Sequence, residues 1–235
     1  MPIWEQHSRN RLVEPLCGGL AVTLGLLPQR ALLNDINEHL INFYHWLQKG
    51  LTITLPLKNE KELYYQYRSE FNNLIKAKKA NSRKAATLFY YLNRTGYNGL
   101  CRFNQKGEFN VPFGRYKKIN YLTDFTPYQR LFENWKFNCS NYEKIELLAD
   151  DFIYADPPYD VQFTNYAKEG FTWEDQVSLV KWLSKHPGPV VLSNQATERI
   201  IELYTAHGFK LNYYAAPRRI SCTGNRSPAR EVLAT

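Results

Sequence analysis

Residues 12–19 read Leu-Val-Glu-Pro-Leu-Cys-Gly-Gly, and this run decides the fold class. Its apolar start predicts a short strand, its two glycines predict a tight turn, and residues 20–27 continue as a helix. A second strand is predicted at 31–35, where it ends in Asp35, and a second helix follows at 36–48. Strand, glycine turn, helix, strand, acid and helix in this order are the opening of an open α/β sheet.

The same alternation returns in the second half of the chain. Residues 152–156, Phe-Ile-Tyr-Ala-Asp, predict a buried strand that ends in an acid. A helix predicted at 172–186 begins at Thr172, with Asp175 three residues later as its capping partner. The pattern is completed by a strand at 189–194, a helix at 196–207 that Gly208 ends, and closing strands at 209–215 and 231–234.

The middle of the chain differs in charge. The whole protein has 30 Lys and Arg against 22 Asp and Glu, a formal net charge of +8. Residues 68–118 hold 12 Lys or Arg and only two acids, Glu70 and Glu108, so this segment alone is +10. Twelve Phe and Tyr residues interleave with these charges between 64 and 116. A lysine-rich helix face is often merely solvated, but cations among flat rings are typical of a nucleic-acid-binding surface.

The predicted secondary structure of this segment changes along its length. Residues 60–93 are predicted to be helical, with a polar break at 80–82. From 93 to 118 four glycines punctuate short runs, which predicts a loop with a hairpin around Lys106-Gly107. A further helix is predicted at 124–135. The basic, aromatic segment is therefore an insert between two α/β parts.

Composition excludes several classes of protein. With 44% apolar residues the chain can form a core, but its longest apolar runs fall short of the roughly 18 residues that span a bilayer. The first residues lack the basic and apolar regions of a signal peptide. Four scattered cysteines without a Cys-x-x-Cys pair predict neither a zinc site nor a disulfide framework, and no metal is expected. These features favour a cytoplasmic protein.

Two short motifs could carry chemistry. Glycines at 18 and 19 would let a ligand approach the backbone, and Asp35 could bind two ribose hydroxyls; such turns are common, so this motif is weak alone. Asp156-Pro157-Pro158-Tyr159 follows an apolar strand. Its prolines fix the backbone and remove two N–H donors, leaving a carboxylate, a carbonyl and a ring. That set suits a planar group bearing an –NH₂, although a rigid turn with an incidental Asp would look the same.

Together with the insert, these motifs resemble the Dam-like N6-adenine DNA methyltransferases, the α group of the D12 class. The similar stretches are 14–19, 34–37, 64–72 (Tyr-Tyr-Gln-Tyr-Arg-Ser-Glu-Phe-Asn), 91–104 (Tyr-Leu-Asn-Arg-Thr-Gly-Tyr-Asn-Gly-Leu-Cys-Arg-Phe-Asn), 107–118 and 156–159. The resemblance implies a Rossmann-like methyltransferase sheet formed by 1–55 and 135–235, with a mainly helical, basic target-recognition insert at 56–134. It also implies S-adenosylmethionine as methyl donor and the adenine of GATC in double-stranded DNA as substrate. A monomer suffices, and no obligate protein partner or membrane is implied.

The resemblance carries over to individual residues. In the catalytic motif it implies roles for Asp156, Pro157, Pro158 and Tyr159. The implied cofactor-binding residues are Pro15, Leu16, Cys17, Gly18, Gly19, Asp35 (ribose), Ile36 (adenine), Tyr142 and Asp156. The implied DNA-binding residues are Tyr97 and Asn98 (entering the duplex where the base leaves), Leu100, Arg102, Asn110 and Pro112 (reading bases), and Arg94, Arg115, Lys117 and Lys118 (holding phosphates).

Two alternatives remain open at this point. The family normally begins with Lys-Trp-(Ala/Pro)-Gly-Gly-Lys, which the run Trp4-Glu5-Gln6-His7 does not match. One alternative is therefore a weak or inactive DNA-binding relic. The other is methyl transfer to a different amino group, such as cytosine N4 or a protein glutamine amide, although a protein methylase has no use for a +10 insert.

Overall fold

The fold was examined in a computed structural model that describes residues 2–160, 171–216 and 229–235. Its strands are β1 (Leu12–Glu14), β2 (Ala31–Asn34), β3 (Trp135–Asn138), β4 (Phe152–Ala155), β5 (Val190–Gln195), β6 (Leu211–Ala216) and β7 (Ala229–Ala234). Its helices are α1 (Pro2–Gln6), α2 (Ala21–Leu26), α3 (Glu38–Gln48), α4 (Lys61–Lys76), α5 (Arg83–Thr95), α6 (Thr126–Leu131), α7 (Trp173–Leu183) and α8 (Glu198–Ala206). The chain divides into two compact units, 1–34 with 140–235 and 35–139, called here the sheet unit and the inserted unit. No helix among the described residues is long and apolar enough to cross a bilayer.

The sheet unit is an α/β domain, which confirms the predicted fold class. Its strands run in the order β2-β1-β4-β5-β7-β6. Neighbours from β2 to β5 are parallel, and β7 pairs antiparallel with both β5 and β6. Every residue of β1 and β4 is buried, as expected for parallel strands covered on both faces. Apolar side chains of α7 and α8, including Leu179 and Ile200, pack into the same core.

Local signals explain the helix boundaries in this unit. Thr172 Oγ1 accepts the Asp175 N–H, and the Asp175 carboxylate accepts the Thr172 N–H, so the predicted capping box begins α7.

Helix α1 packs against the start of β4. Trp4 of α1 is buried and meets Phe152 edge-on at 5.1 Å between ring centroids. Phe152 begins β4, so α1 lies at the amino end of that strand, opposite the end that Asp156 follows.

The inserted unit is mainly helical and has its own core. Ser82 accepts the Ala85 N–H and caps α5, at the predicted break between α4 and α5. The two helices pack through aromatic side chains, among them Tyr64, Phe71 and Tyr91, which are fully buried. The predicted recognition segment, 56–134, lies within this unit; that it is a DNA-recognition domain stays a prediction.

The sequence prediction was wrong in one place here. A helix was predicted at 124–135, but α6 covers only Thr126–Leu131, and β3 begins at Trp135. Trp135 and Phe137 are buried whereas Lys136 is exposed. That two-residue alternation is a strand pattern, too short to stand out beside a helix with Pro127 in its first turn.

Candidate active site

The candidate site lies at the carboxyl ends of β1 and β4. These two strands are parallel neighbours, with Leu12 opposite Phe152 and Val13 opposite Ile153, and β2 lies on the other side of β1. The chain order therefore reverses between β1 and β4. In open α/β sheets ligands bind in the crevice at such a reversal. The loop after Glu14 and the loop after Ala155 both leave the sheet there.

Asp156 is held by the neighbouring strand. The Ser193 hydroxyl of β5 donates to Asp156 Oδ1 at 2.6 Å and accepts a hydrogen bond from the Tyr154 hydroxyl at 3.1 Å. Asp156 is an exposed residue, yet the surrounding protein partly desolvates its carboxylate. Desolvation raises the pKa of Asp156, and the Ser193 hydrogen bond offsets part of that rise.

The rest of the Asp-Pro-Pro-Tyr loop is also anchored. Gln176 Nε2 of α7 donates to the Pro158 carbonyl at 2.7 Å, and the Asp160 N–H donates to Asn194 Oδ1 at 3.2 Å. Within the described ranges, no group donates a hydrogen bond to the Pro157 carbonyl. The loop thus offers two acceptors, the Asp156 carboxylate and the Pro157 carbonyl, which is the pair required to bind both hydrogens of an amino group.

A second carboxylate, Glu14, is buried at the end of β1. Glu14 Oε1 accepts the Thr23 N–H at 2.8 Å and also the Thr23 hydroxyl, so it binds the first turn of α2. Burial raises the pKa of Glu14 to about 7; the bonds from Thr23 oppose this rise, and the charge of Asp156 adds to it. No role was predicted for Glu14 from the sequence, although a carboxylate after two apolar strand residues is a recognisable signal.

Glu14 should make stability fall as the pH rises. The folded protein keeps the proton to about pH 7, whereas the unfolded chain releases it near 4.5, so the free energy of unfolding decreases across this window. The full loss would be about 3 kcal/mol. We expect urea titrations between pH 5 and 8 to show this loss in the wild type and not in Glu14→Gln. Glu202→Gln, at an exposed site on α8, is the control and should follow the wild-type curve; a parallel curve for Glu14→Gln would contradict the assignment.

The glycine loop after Glu14 leaves open space in front of its backbone. Gly18 has φ +44°, which favours glycine, and a Cβ built on Gly18 or Gly19 would meet no atom within 4 Å. Asn34 holds the loop from the end of β2: its Nδ2 donates to the carbonyls of Pro15 and Ser140, both at 2.9 Å. Tyr142, two residues after Ser140, is half-buried and packs edge-on against Trp182. A ligand can therefore reach the backbone at 18–19.

The inserted unit presents a second set of predicted residues on a rigid support. From α4, Tyr64 and Arg68 both donate to the Val111 carbonyl, at 2.9 and 3.0 Å, and Asn72 binds both backbone groups of Phe109. These contacts anchor the backbone of 109–111. The residues of the Tyr-Tyr-Gln-Tyr-Arg-Ser-Glu-Phe-Asn stretch thus support the loop.

Close backbone contacts fix the ends of this loop. The Tyr97 N–H donates to the Pro112 carbonyl, and the Gly114 N–H donates to the Thr95 carbonyl, both at 2.9 Å. A Cβ on Gly114 would lie 2.7 Å from the Thr95 carbonyl oxygen, so only glycine fits there. Most of the predicted DNA-binding residues are exposed on either side of these two backbone contacts: Arg94, Tyr97, Asn98, Leu100, Pro112, Arg115, Lys117 and Lys118.

Arg102 and Asn110 are brought together in the same loop. Arg102 Nε donates to Asn110 Oδ1 at 2.8 Å, and the Asn110 N–H donates to the Arg102 carbonyl at 3.1 Å. Both residues are half-buried. The amide of Asn110 therefore orients the guanidinium of Arg102.

Comparison with known proteins identifies the chain. The model of the family described as D12 class N6 adenine-specific DNA methyltransferase matches residues 3–219. The chain belongs to this family. DNA adenine methylase of Escherichia coli strain K12 is 38% identical over 243 residues, which cover 95% of this chain and 85% of that protein. DNA adenine methylase of Vibrio cholerae serotype O1 is 38% identical over 251 residues, covering 96% and 86%. The solved 23S rRNA methyltransferase ErmE covers 99% of this chain and 65% of its own, with 10% identity and a TM-score of 0.42.

The protein is accordingly a DNA adenine methyltransferase of the D12 class. The two predicted cofactor residues after β2 belong to the inserted unit. There Asp35 Oδ1 accepts the Asn37 N–H at 2.9 Å, and Ile36 is 76% exposed. Sequence reasoning about this methyltransferase missed Ser193, Asn194 and Gln176; the first two end a buried apolar strand, and that change to polar residues was the available signal.

Proposed function

We propose that the protein transfers the methyl group of S-adenosylmethionine to N6 of an adenine extruded from duplex DNA, in the sequence GATC. The observation that carries the proposal is the acceptor pair at the carboxyl end of β4, the Asp156 carboxylate and the Pro157 carbonyl, beside the glycine loop. The GATC target rests on the resemblance of 91–118 to the Dam branch, whereas the relatives' name, DNA adenine methylase, supports adenine in DNA as the target.

The sheet unit offers groups that fit the methyl donor. Open space in front of Gly18 and Gly19 admits a ligand to the backbone, and the Asp156 carboxylate, which follows the adjacent strand β4, complements a sulfonium cation. When bound, S-adenosylmethionine supplies an activated methyl group. We assign Pro15, Leu16, Cys17, Gly18, Gly19, Tyr142 and Asp156 to its pocket, Asp35 to the ribose hydroxyls and Ile36 to the adenine ring.

The target amine needs help because its lone pair is delocalised into the ring. Asp156 and the Pro157 carbonyl would each accept one N6–H bond, which orients the lone pair toward the methyl group. Asp156 is too weak a base to deprotonate an aryl amine beforehand. Its raised pKa makes it a better acceptor of the proton that leaves after methyl transfer.

The extruded base needs a surface to rest on. We assign the Tyr159 ring, which follows Pro158 in the motif, to stacking on the adenine. A base that leaves the duplex loses its stacking partners, and an aromatic ring replaces them. Burial raises the pKa of the Tyr159 hydroxyl, and the nearby charges of Asp156 and Glu231 add to this rise, so the ring stays neutral. Extrusion costs a few kcal/mol, part of which this stacking returns.

The inserted unit would read and hold the duplex. We assign Tyr97 and Asn98 to the space that the adenine leaves, and Leu100, Arg102, Asn110 and Pro112 to base edges. Arg94 and Lys118 line one cavity of about 320 Å³ together with Tyr116 and Asn120. Two cations in one polar cavity suit a phosphate, which supports assigning Arg94 and Lys118 to the DNA backbone. Arg115 and Lys117, which are exposed, are assigned to the DNA backbone on the family resemblance.

Plasmid methylation tests the proposed function. DNA recovered after incubation with protein and S-adenosylmethionine is cut with two endonucleases of opposite sensitivity to methylation at GATC. We expect protection from the first and cleavage by the second. Nucleoside analysis then separates N6-methyladenine from N4-methylcytosine. DNA binding without cofactor binding or methylation would instead identify a relic.

Arg102→Ala and Lys117→Ala should affect DNA binding differently, although each removes one positive charge. We expect Arg102→Ala to lose about 1–3 kcal/mol of binding free energy on the cognate duplex and much less on a duplex altered at the base pair that Arg102 reads. Lys117→Ala should weaken binding to all sequences alike and lower the slope of log K against log salt concentration by about one. Titrations of both variants on matched duplexes at two salt concentrations measure this. A uniform loss for Arg102→Ala would mean that Arg102 contacts the backbone instead.

A further inference from the structure

Two buried side-chain amides, Gln176 and Asn194, lie behind the Asp-Pro-Pro-Tyr loop; we call them the carboxamide pair. They are 3% and 0% exposed. Asn194 Nδ2 donates to Gln176 Oε1 at 3.3 Å, and Gln176 Nε2 donates to the Pro158 carbonyl at 2.7 Å. Asn194 Oδ1 accepts the Asp160 N–H at 3.2 Å. The pair therefore binds the loop backbone on both sides of Tyr159.

The chemistry of the loop makes these two contacts unusually important. Pro157 and Pro158 have no N–H, so the loop backbone can be bound there only through carbonyls. The proline rings also fix φ, so binding the Pro158 carbonyl limits the directions available to the Pro157 carbonyl one peptide earlier. Asn194 has its own groups satisfied, since Nδ2 also donates to the Tyr204 hydroxyl at 3.3 Å. A fully satisfied buried network of this kind is rigid.

We propose that the carboxamide pair positions the Pro157 carbonyl for methyl transfer. Gln176 and Asn194 bind the Pro158 carbonyl and the Asp160 N–H, whereas no group in the described ranges donates to the Pro157 carbonyl, which is therefore available to the target amine. The inference rests on the proposed function. Neither amide touches the reacting atoms, and both act through the loop as positioning residues.

Single-turnover methylation by Gln176→Leu tests this role. Leucine keeps the side-chain volume but removes the donor to Pro158 and the acceptor for Asn194. Because misplacement by about 1 Å can cost 10²-fold, we expect the methyl-transfer rate to fall about 10- to 100-fold, with DNA and S-adenosylmethionine affinities within about twofold of wild type. A loss in affinity alone, at an unchanged rate, would overturn the proposal.

Gln176→Glu gives a second readout that a purely structural role would not move. A protonated carboxyl can donate to the Pro158 carbonyl, whereas an ionised one cannot, and burial raises the pKa of such a carboxyl. We therefore expect the ratio of variant to wild-type rate to rise as the pH is lowered from about 8 to about 6. Asp160 and Tyr204 contact Asn194 in both proteins, and Asp156 lies near Tyr204, so dividing by the wild-type rate removes the pH dependence that the two proteins share. A flat ratio overturns the proposal, even if Gln176→Leu does not fold.

Tyr204→Phe is the matched control. It removes one hydrogen bond of Asn194 but leaves both contacts with the loop, so it should lower stability and not the single-turnover rate. An equal rate loss in Tyr204→Phe would assign the effect to general destabilisation and overturn the positioning role. Wild-type protein that transfers no methyl group to DNA would overturn the proposed function and this role together, whereas an active wild type matched by Gln176→Leu would overturn this role alone.

Discussion

Asp156→Ala is expected to abolish measurable methyl transfer while leaving DNA affinity within a few-fold of wild type. The variant removes a charged acceptor from the atom that becomes positive as the methyl group arrives, and it removes the acceptor of the departing proton. Loss of one such electrostatic group costs about 10²–10³ in rate, and loss of the proton acceptor adds to that. The measurement is single-turnover methylation of a duplex with one target adenine, beside a binding titration of the same duplex.

Two further variants separate the effect of the Asp156 charge from that of its oxygen atoms and from nonspecific effects. Asp156→Asn keeps an oxygen acceptor but loses the charge, so its rate should lie between those of wild type and Asp156→Ala. Asp150→Ala, an exposed carboxylate just before the amino end of β4, is the matched control and should keep the wild-type rate. If Asp156→Ala retained a substantial fraction of wild-type turnover, the assigned role would be wrong.

Asp35→Ala is expected to weaken S-adenosylmethionine binding by about 1.5–3 kcal/mol, because a charged hydrogen-bond acceptor is lost from the ribose. Calorimetric titration with the cofactor measures this directly and does not depend on catalysis. DNA affinity should stay unchanged, since Asp35 is not assigned to the duplex.

The structure shows why this variant needs a companion. Asp35 Oδ1 also accepts the Asn37 N–H, so alanine could act by loosening the turn before α3. Asp35→Asn keeps an oxygen for that turn but loses the charge, and it should still bind cofactor weakly. Glu38→Ala, an exposed carboxylate in the first turn of α3, is the control. Cofactor affinity equal to wild type in Asp35→Ala would exclude Asp35 from the pocket.

Much of the fold was predictable because its signals are local. Glycines at 18–19, the Thr172 capping box and the break before Arg83 each act within four residues, and all appear where the sequence predicted them. The strand β3 was missed because its signal is only two buried residues in alternation. Local periodicity cannot outweigh a neighbouring helix pattern over so short a run.

The candidate site was predictable only in part, for a different reason. Asp156 and its prolines are contiguous, so the motif is visible in the sequence. The residues that hold them come from elsewhere: Gln176 from α7, and Ser193 and Asn194 from β5. Their contacts depend on the strand order and helix packing, which no local pattern encodes. Glu14 was visible, but its raised pKa follows from burial, which needs the fold.

The interrupted course of the sheet unit imposes an order on synthesis. β1 and β2 leave the ribosome first, and β4, which pairs with β1, follows only after the continuous segment 35–139. At about 5–20 residues per second, that delay lasts roughly 5–20 s. The nascent β1 must wait for its partner with one edge unpaired, while the inserted unit already has all of its own core residues. Slow translation through 35–139 would therefore prolong the exposure of the unpaired, aggregation-prone edge of β1, and rapid translation would shorten it.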